Sequence, residues 1–162
     1  MKTLHALLIA FFVQLFLITS NASAADIKPT QVLLHTSAGD ITLELDAKAA
    51  PKTVANFLQY VNEGFYNNTL FHRVIPDFMI QGGGFQAGMV EKPTRNPVAN
   101  ESNNGKQNKR ATIAMARTQH PDSATAQFFI NIVDNSYLDA ANGKPGYTVF
   151  GTVIKGLSLI HI

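Results

Sequence analysis

Residues 31–36 and 41–46 form two runs, the first largely apolar and the second alternating between polar and apolar side chains, and the residues Ser-Ala-Gly-Asp stand between them. Alternation with a period of two is typical of a β-strand that buries one face. Gly39 can adopt the positive φ that a tight turn requires. The pattern therefore predicts a β-hairpin.

The period changes to that of a helix at residues 51–63. Four apolar residues share the spacing i, i+3, i+4 and i+7: Val54, Phe57, Leu58 and Val61. Pro51 suits the first turn of a helix, and Gly64 suits the position after its last turn. We expect an amphipathic helix that lies on a sheet, with its apolar stripe in the core.

The rest of the chain is predicted to be mostly β. The stretch 71–84 has the pattern of two short strands bent at Pro76, and a polar segment rich in Asn, Gly and Pro occupies 86–110. Further strands are predicted at 111–116, 127–133 and 147–154. A long loop of this kind is uncommon in a compact domain and is often functional. With one early helix and few crossovers, the pattern favours a closed or nearly closed antiparallel barrel over a parallel sheet.

The stretch 71–84 also carries the strongest candidate chemistry. Arg73, Met79 and Gln81 share one strand parity across the Pro76 bend. Alternation then lets a guanidinium, a thioether and an amide face one groove. No residue of the stretch is a good nucleophile, so the set favours binding and polarising a neutral, partly apolar group.

The first 24 residues have the pattern of an export signal. Lys2 gives a positive start, residues 4–18 are almost wholly apolar, and Ala-Ser-Ala at 22–24 is a small-residue cleavage site. The alternative is a single membrane anchor, although the apolar run is shorter than the roughly 20 residues needed to span a bilayer. Cleavage after residue 24 would leave one domain over 25–162.

Composition changes this picture little. Without Lys2, 12 basic side chains balance 11 acidic ones, so no nucleic acid or other polyanion is implied as a partner. The basic cluster at 106–110 is expected to be a solvated loop. The chain has no cysteine, and no metal site is predicted because His35, His72 and His120 lack the spacing of metal ligands.

Two motif matches fail on their context. Residues 82–87 formally satisfy the dinucleotide fingerprint, but glycine and prolines follow where a helix should begin. Ser123, His72 and Asp122 could form a hydrolytic triad only without the usual nucleophile elbow. His72 also points to the opposite side of its strand from Arg73, so a partly buried, hydrogen-bonded histidine is expected instead.

Five short sequences stand out along the chain. They are Phe-His-Arg-Val-Ile-Pro at 71–76, Phe-Met-Ile-Gln-Gly-Gly at 78–83, Met-Ala-Arg at 115–117, Ser-Ala-Thr-Ala-Gln-Phe-Phe-Ile at 123–130 and Val-Phe-Gly at 149–151. Together they resemble the cyclophilin-type peptidyl-prolyl cis-trans isomerases, over about residues 31–156. The resemblance implies a closed antiparallel eight-stranded barrel with capping helices. Arg117, where many eukaryotic members have Asn, and the export signal resemble the periplasmic bacterial branch, which implies a monomeric periplasmic enzyme without a cofactor.

The resemblance also implies the site. Rotation about an X–Pro bond breaks amide conjugation, and a donor aimed at the prolyl nitrogen stabilises that state. Arg73 has the permanent charge and rigid fork for this role, with Phe78 and Gln81 as its catalytic neighbours. The substrate-binding residues implied are Met79, Phe129, Leu138, Gln127, Tyr137, Tyr147, Ala116 and Arg117. Met79, Phe129 and Leu138, together with Phe78, would surround the proline. Gln81 and Gln127 would hold the peptide carbonyl or help place Arg73, and the Arg117 backbone would pair with the residue before proline.

Three departures from the family pattern stand out. Tyr137 occupies the position of a frequent Trp, and Tyr147 the position of a frequent His. After Gly156 the family continues with a second helix and a closing strand, which residues 157–162 do not match. We therefore expect a chain that lacks both elements.

The predicted function is acceleration of X–Pro isomerisation during the folding of exported proteins. The expected partners are proline-containing peptides and unfolded exported proteins, with no stable membrane association after signal cleavage. The alternative is a proline-peptide binding module or holdase chaperone with little turnover. Arg73 favours the enzyme, because a transition-state donor matters more for turnover than for capture.

Overall fold

A computed structural model of the chain describes residues 30–159. The predicted signal segment 1–24 lies outside the described residues. Within them, no helix has both the length and the apolar character needed to cross a membrane.

The described chain is built mainly from strands. In chain order the elements are β1 (Thr30–Thr36), β2 (Gly39–Leu45), α1 (Pro51–Asn62), β3 (Thr69–Ile75), β4 (Met79–Gln86), β5 (Val90–Glu91), β6 (Thr112–Met115), β7 (Phe128–Asn131) and β8 (Val149–Lys155). Short 3₁₀ turns lie at Ala87–Met89, Ser136–Leu138 and Leu157–Leu159. The predicted hairpin and helix both form, as β1–β2 and α1. Strand β5 lies inside the segment predicted as a loop, and its exposed side chains carry no hydrophobic pattern that could have indicated it.

The strands form one curled antiparallel sheet. Their order is β1-β2-β8-β6-β7-β4-β3, with β5 paired to β4 outside this path. Among the described residues β1 and β3 are the two ends of the order and do not pair with each other, so the sheet is a half-barrel. The predicted class, a mostly β antiparallel eight-stranded fold, is confirmed. The closure that the family resemblance implies is not formed between β1 and β3 among residues 30–159.

Helix α1 packs its apolar stripe against this sheet. Phe57 is fully buried and meets the rings of Phe128 and Phe150, at centroid distances of 5.7 Å and 5.2 Å. Burial of one such side chain stabilises the fold by roughly 1.5–3 kcal/mol. The predicted stripe is confirmed, and the buried Tyr60 extends it.

The N-terminus of α1 is capped from a distant part of the chain. Residue Ala50 precedes the helix and provides no side-chain cap. The Glu101 carboxylate instead accepts from the backbone N–H groups of Lys52 (3.1 Å) and Thr53 (2.8 Å) and from the Thr53 hydroxyl (2.7 Å). A negative charge at this end also complements the helix dipole. The long polar segment is thus tied to the helix.

Candidate functional site

The β3–β4 hairpin brings the predicted catalytic residues together. Its strands turn at Pro76 and Asp77, so that Ile75 pairs with Met79 and Arg73 stands opposite Gln81. The Arg73 Nη1 donates to Gln81 Oε1 at 3.4 Å. The shared parity expected from the sequence therefore becomes direct proximity of the guanidinium and the amide.

A groove of about 100 Å³ opens beside this pair. Nine of the predicted site residues line it: Arg73, Phe78, Met79, Gln81, Ala116, Arg117, Phe129, Leu138 and Tyr147. The other two lie next to it. Gln127 is bonded to Gln81, and Tyr137, which is 71% exposed, stacks on Phe78 at the rim with ring centroids 5.9 Å apart.

The floor of the groove is apolar and separate from the main core. Met79 and Phe129 are buried there, and the Tyr147 ring meets the Phe129 ring edge-on at 5.5 Å. Alternation along β7 explains the separation, because Phe128 points into the main core while Phe129 points into the groove. The groove thus offers apolar surface for a ring-sized group, beside the exposed guanidinium.

A chain of side-chain amides extends from Arg73 into the protein. Gln81 Nε2 donates to Gln127 Oε1 at 2.9 Å, and Gln81 Oε1 accepts from Arg73. Gln127 packs so closely on Gly84 that a Cβ there would lie 2.5 Å from Gln127 Cγ. The glycine at this position therefore leaves room for the amide that holds Gln81.

Buried asparagines behind the groove were not expected from the sequence. Asn135 Nδ2 donates to the Phe78 carbonyl at 3.0 Å and to Asn131 Oδ1 at 2.7 Å. Asn131, fully buried, in turn donates to Asn108 Oδ1 at 3.2 Å. A satisfied buried network of this kind fixes the backbone that carries Phe78. In the sequence, the polar Asn131 at the end of an apolar strand was the one feature that could have indicated this buried network.

Residues considered for other chemistry bond to partners outside the supposed triad. Ser123 Oγ donates to the His120 carbonyl, and Asp122 accepts from the Asn100 amide, so no hydrolytic triad forms. His72 packs its ring on Phe85 at 4.6 Å. The expectation of a hydrogen-bonded imidazole is wrong at its Nδ1, which is buried and has no partner within residues 30–159.

These observations define an antiparallel half-barrel whose groove joins an apolar floor to a held guanidinium. Residues 31–162 match the family model described as cyclophilin type peptidyl-prolyl cis-trans isomerase/CLD. The chain is 58% identical over 130 residues to peptidyl-prolyl cis-trans isomerase A of Dickeya dadantii (strain 3937), which covers 80% of this chain and 68% of that protein. It is 55% identical over 132 residues to peptidyl-prolyl cis-trans isomerase B of Escherichia coli (strain K12), covering 80% of each chain.

A solved structure supports the same assignment. The cyclophilin type isomerase of Cryptosporidium parvum, determined in the presence of the dipeptide Ala-Pro, superposes with a TM-score of 0.67 at 28% identity. The match covers 81% of this chain and 82% of that one. The chain belongs to the cyclophilin-type peptidyl-prolyl cis-trans isomerases. Its activity is the cis-trans isomerisation of X–Pro peptide bonds.

Proposed function

We propose that the groove beside Arg73 is the active site of this isomerase and that its substrates are exported proteins with X–Pro bonds. The observation that carries the proposal is the hydrogen-bonded placement of Arg73 by Gln81 at the edge of an apolar pocket. The two features match the two halves of the substrate, a ring to bury and a nitrogen to polarise.

The chemistry requires no nucleophile. Rotation about the peptide bond faces a barrier of about 18–20 kcal/mol because the amide is conjugated. Twisting breaks the conjugation and leaves a lone pair on the prolyl nitrogen that the planar ground state lacks. A guanidinium aimed at this lone pair binds the twisted state more strongly than the planar states, which is the condition for catalysis.

The remaining groove residues bind different parts of the peptide. The pocket of Phe78, Met79, Phe129 and Leu138 receives the proline ring. Within residues 30–159 no hydrogen bond engages the backbone amide or carbonyl of Arg117, so both are available to pair with the residue before proline. Gln127 acts through Gln81, to which it is bonded. The Ala-Pro dipeptide named for the Cryptosporidium parvum structure supports a proline-containing ligand here.

The site assignment is tested by NMR with a short Ala-Pro-containing peptide and no protease. Exchange cross-peaks between the cis and trans peptide report turnover, and chemical-shift changes report where the peptide binds. We expect the largest changes at Phe129, Leu138 and Ala116. Changes confined to another face, with turnover intact, would contradict the groove as the active site.

Export rests on the first residues of the chain. The positive Lys2, the apolar run and the Ala-Ser-Ala sequence at 22–24 support a cleaved signal that delivers the enzyme to the periplasm. The test is expression in a bacterium, followed by fractionation and determination of the mature N-terminus. The proposal predicts periplasmic protein beginning at Ala25, and a cytoplasmic or membrane-bound full chain would contradict it.

A further inference from the structure

The side chain of Arg117 is fixed on several sides at the end of the groove. Its guanidinium lies over the Tyr147 ring, 4.5 Å from the ring centroid. Its N–H groups donate to the carbonyl oxygens of Thr118 (2.9 Å), Gln119 (3.4 Å), Pro145 (3.0 Å) and Gly146 (3.2 Å). The planar fork thus joins the segment that follows β6 to the segment that precedes β8.

The segment that Arg117 holds is a loop with little packing of its own. Residues 141–145 are exposed, and the loop closes where the Tyr147 amide donates to the Leu138 carbonyl at 2.9 Å. Both residues at this closure line the groove. Loops with few buried apolar contacts open readily, so the side chains at their ends depend on the bonds that hold them.

Gly146 is the point at which those bonds converge. Its carbonyl accepts from Arg117 and from Asn100 Nδ2 at 3.1 Å, and its amide donates to Ser102 Oγ at 2.9 Å. A Cβ at this residue would lie 2.3 Å from the Ala140 amide nitrogen, so the chain passes too close to itself for a side chain. Arg117 is therefore one of three polar side chains that bond to the Gly146 backbone.

We infer that the Arg117 side chain is a positioning residue that fixes Tyr147 and Leu138 as one wall of the groove and thereby sets peptide affinity. The inference rests on the active-site groove proposed above. It assigns to the side chain a role separate from the backbone pairing of the same residue. The side chain acts through Tyr147, whose face it covers, and through the carbonyls that precede Tyr147.

The expected effect falls on KM and not on kcat. Tyr147 and Leu138 offer apolar surface to the ring in the planar and twisted states alike, so they contribute uniform binding. Without the Arg117 contacts, Tyr147 and Leu138 become ordered only when the peptide binds. The free-energy cost of that ordering weakens binding. Arg73 and its amide chain are held by other contacts, so the stabilisation of the twisted state persists.

The experiment compares Arg117→Ala and Arg117→Lys with a matched arginine elsewhere. Arg95 also stacks on a tyrosine, 4.1 Å from the Tyr60 centroid, and pairs with Glu63 at 2.6 Å, but it does not line the groove. We expect Arg117→Ala to raise KM about tenfold with kcat within about twofold of the parent chain. Arg117→Lys should restore only part of the lost peptide affinity, because an ammonium group lacks the planar fork of the guanidinium. Arg95→Ala should leave KM unchanged while lowering the unfolding midpoint.

Two further readouts make the result decisive. The Tyr147 ring resonances should shift in Arg117→Ala and stay in place in Arg95→Ala. An unchanged KM in Arg117→Ala, a loss confined to kcat, or an equal rise of KM in Arg95→Ala would each overturn the inference. Arg73→Ala separates this outcome from failure of the site assignment, because full turnover in that variant would place catalysis elsewhere.

Discussion

Gln81 holds Arg73 through the oxygen of its amide and is itself held by Gln127 through the nitrogen, at 3.4 Å and 2.9 Å respectively. An amide used at both ends cannot flip without losing both bonds. The acceptor that faces the guanidinium is therefore held in place by Gln127, the residue just before β7. Preorganised donors of this kind stabilise a developing charge distribution without reorganisation during the reaction.

Removal of the guanidinium is expected to remove most of the rate enhancement. Arg73→Ala should lower kcat/KM by about 10²–10³, the loss typical of one oriented transition-state donor. Arg73→Lys should recover little, because a point charge lacks the planar fork. Turnover is measured by NMR exchange on a Pro-containing peptide, together with the peptide dissociation constant.

The dissociation constant should change far less than the rate in Arg73→Ala, since the apolar pocket is intact. Arg95→Ala provides the control, because it removes an arginine that does not line the groove. Near-full turnover in Arg73→Ala would rule out the donor mechanism for this protein.

The space above Gly84 gives a second prediction. In Gly84→Ala the added Cβ would meet Gln127 Cγ at 2.5 Å, so the side chain must move and release Gln81. We expect kcat/KM to fall by roughly tenfold, the order of a change worth 1.4 kcal/mol. In Gln127→Ala the methyl group has room, so adding Gly84→Ala should cost little more. A double-mutant cycle measures this, and simple additivity of the two losses would contradict the proposed contact.

The parts of the site that lie within one hairpin could be predicted from the sequence. Arg73, Met79 and Gln81 are brought together by strand alternation, a regularity of period two that the chain displays directly. The partition of Phe128 and Phe129 follows from the same rule. The resemblance to cyclophilins supplied the more distant members of the groove.

Contacts between side chains far apart in sequence could not be predicted in this way. Glu101 caps α1 across 48 residues, and Arg117 reaches the Gly146 carbonyl across 29. Neither contact repeats along the chain, so no periodicity reports it. Gly84 likewise fell within the formal match to the dinucleotide fingerprint. The structure shows that a glycine is needed there because the Gln127 side chain occupies the space of a Cβ.

The cap on α1 predicts a stability effect without a catalytic one. Glu101→Ala should lower the free energy of unfolding by about 1–3 kcal/mol, because the fully buried Thr53 hydroxyl loses its acceptor. Glu101→Gln should lower the free energy of unfolding by less, since its amide oxygen can still accept a hydrogen bond from the helix N-terminus. Urea unfolding measures the effect, with Glu91→Ala as the control because Glu91 has no side-chain hydrogen bond within residues 30–159. Equal midpoints for Glu101→Ala and Glu91→Ala would show that the cap contributes nothing.

His72 predicts a pH dependence of stability. Burial is the main reason that the pKa of His72 lies below its ordinary value of 6.5. The Leu70 backbone and the charge of Glu91 oppose this shift, whereas the nearby Arg73 lowers the pKa further. As pH falls through 6.5, the unfolded chain takes up the proton before the folded chain does. The stability that His72 contributes to the folded state is therefore complete above this pH and decreases below it. The weakening ends once pH is below the folded-state pKa.

Glutamine does not titrate, so His72→Gln should remove the pH dependence of stability that His72 causes. The free energy of unfolding should then fall less steeply between about pH 7.5 and pH 5.5 than in the parent chain. Urea titrations across that range measure both slopes. The other histidines are the same in both chains, so the difference between the slopes isolates His72. Asp46, whose pKa is lowered chiefly by its bond to Lys106, titrates below 3.8 and stays outside the range. Parallel curves for the two chains would mean that the partly buried imidazole binds its proton equally well in the folded and unfolded states.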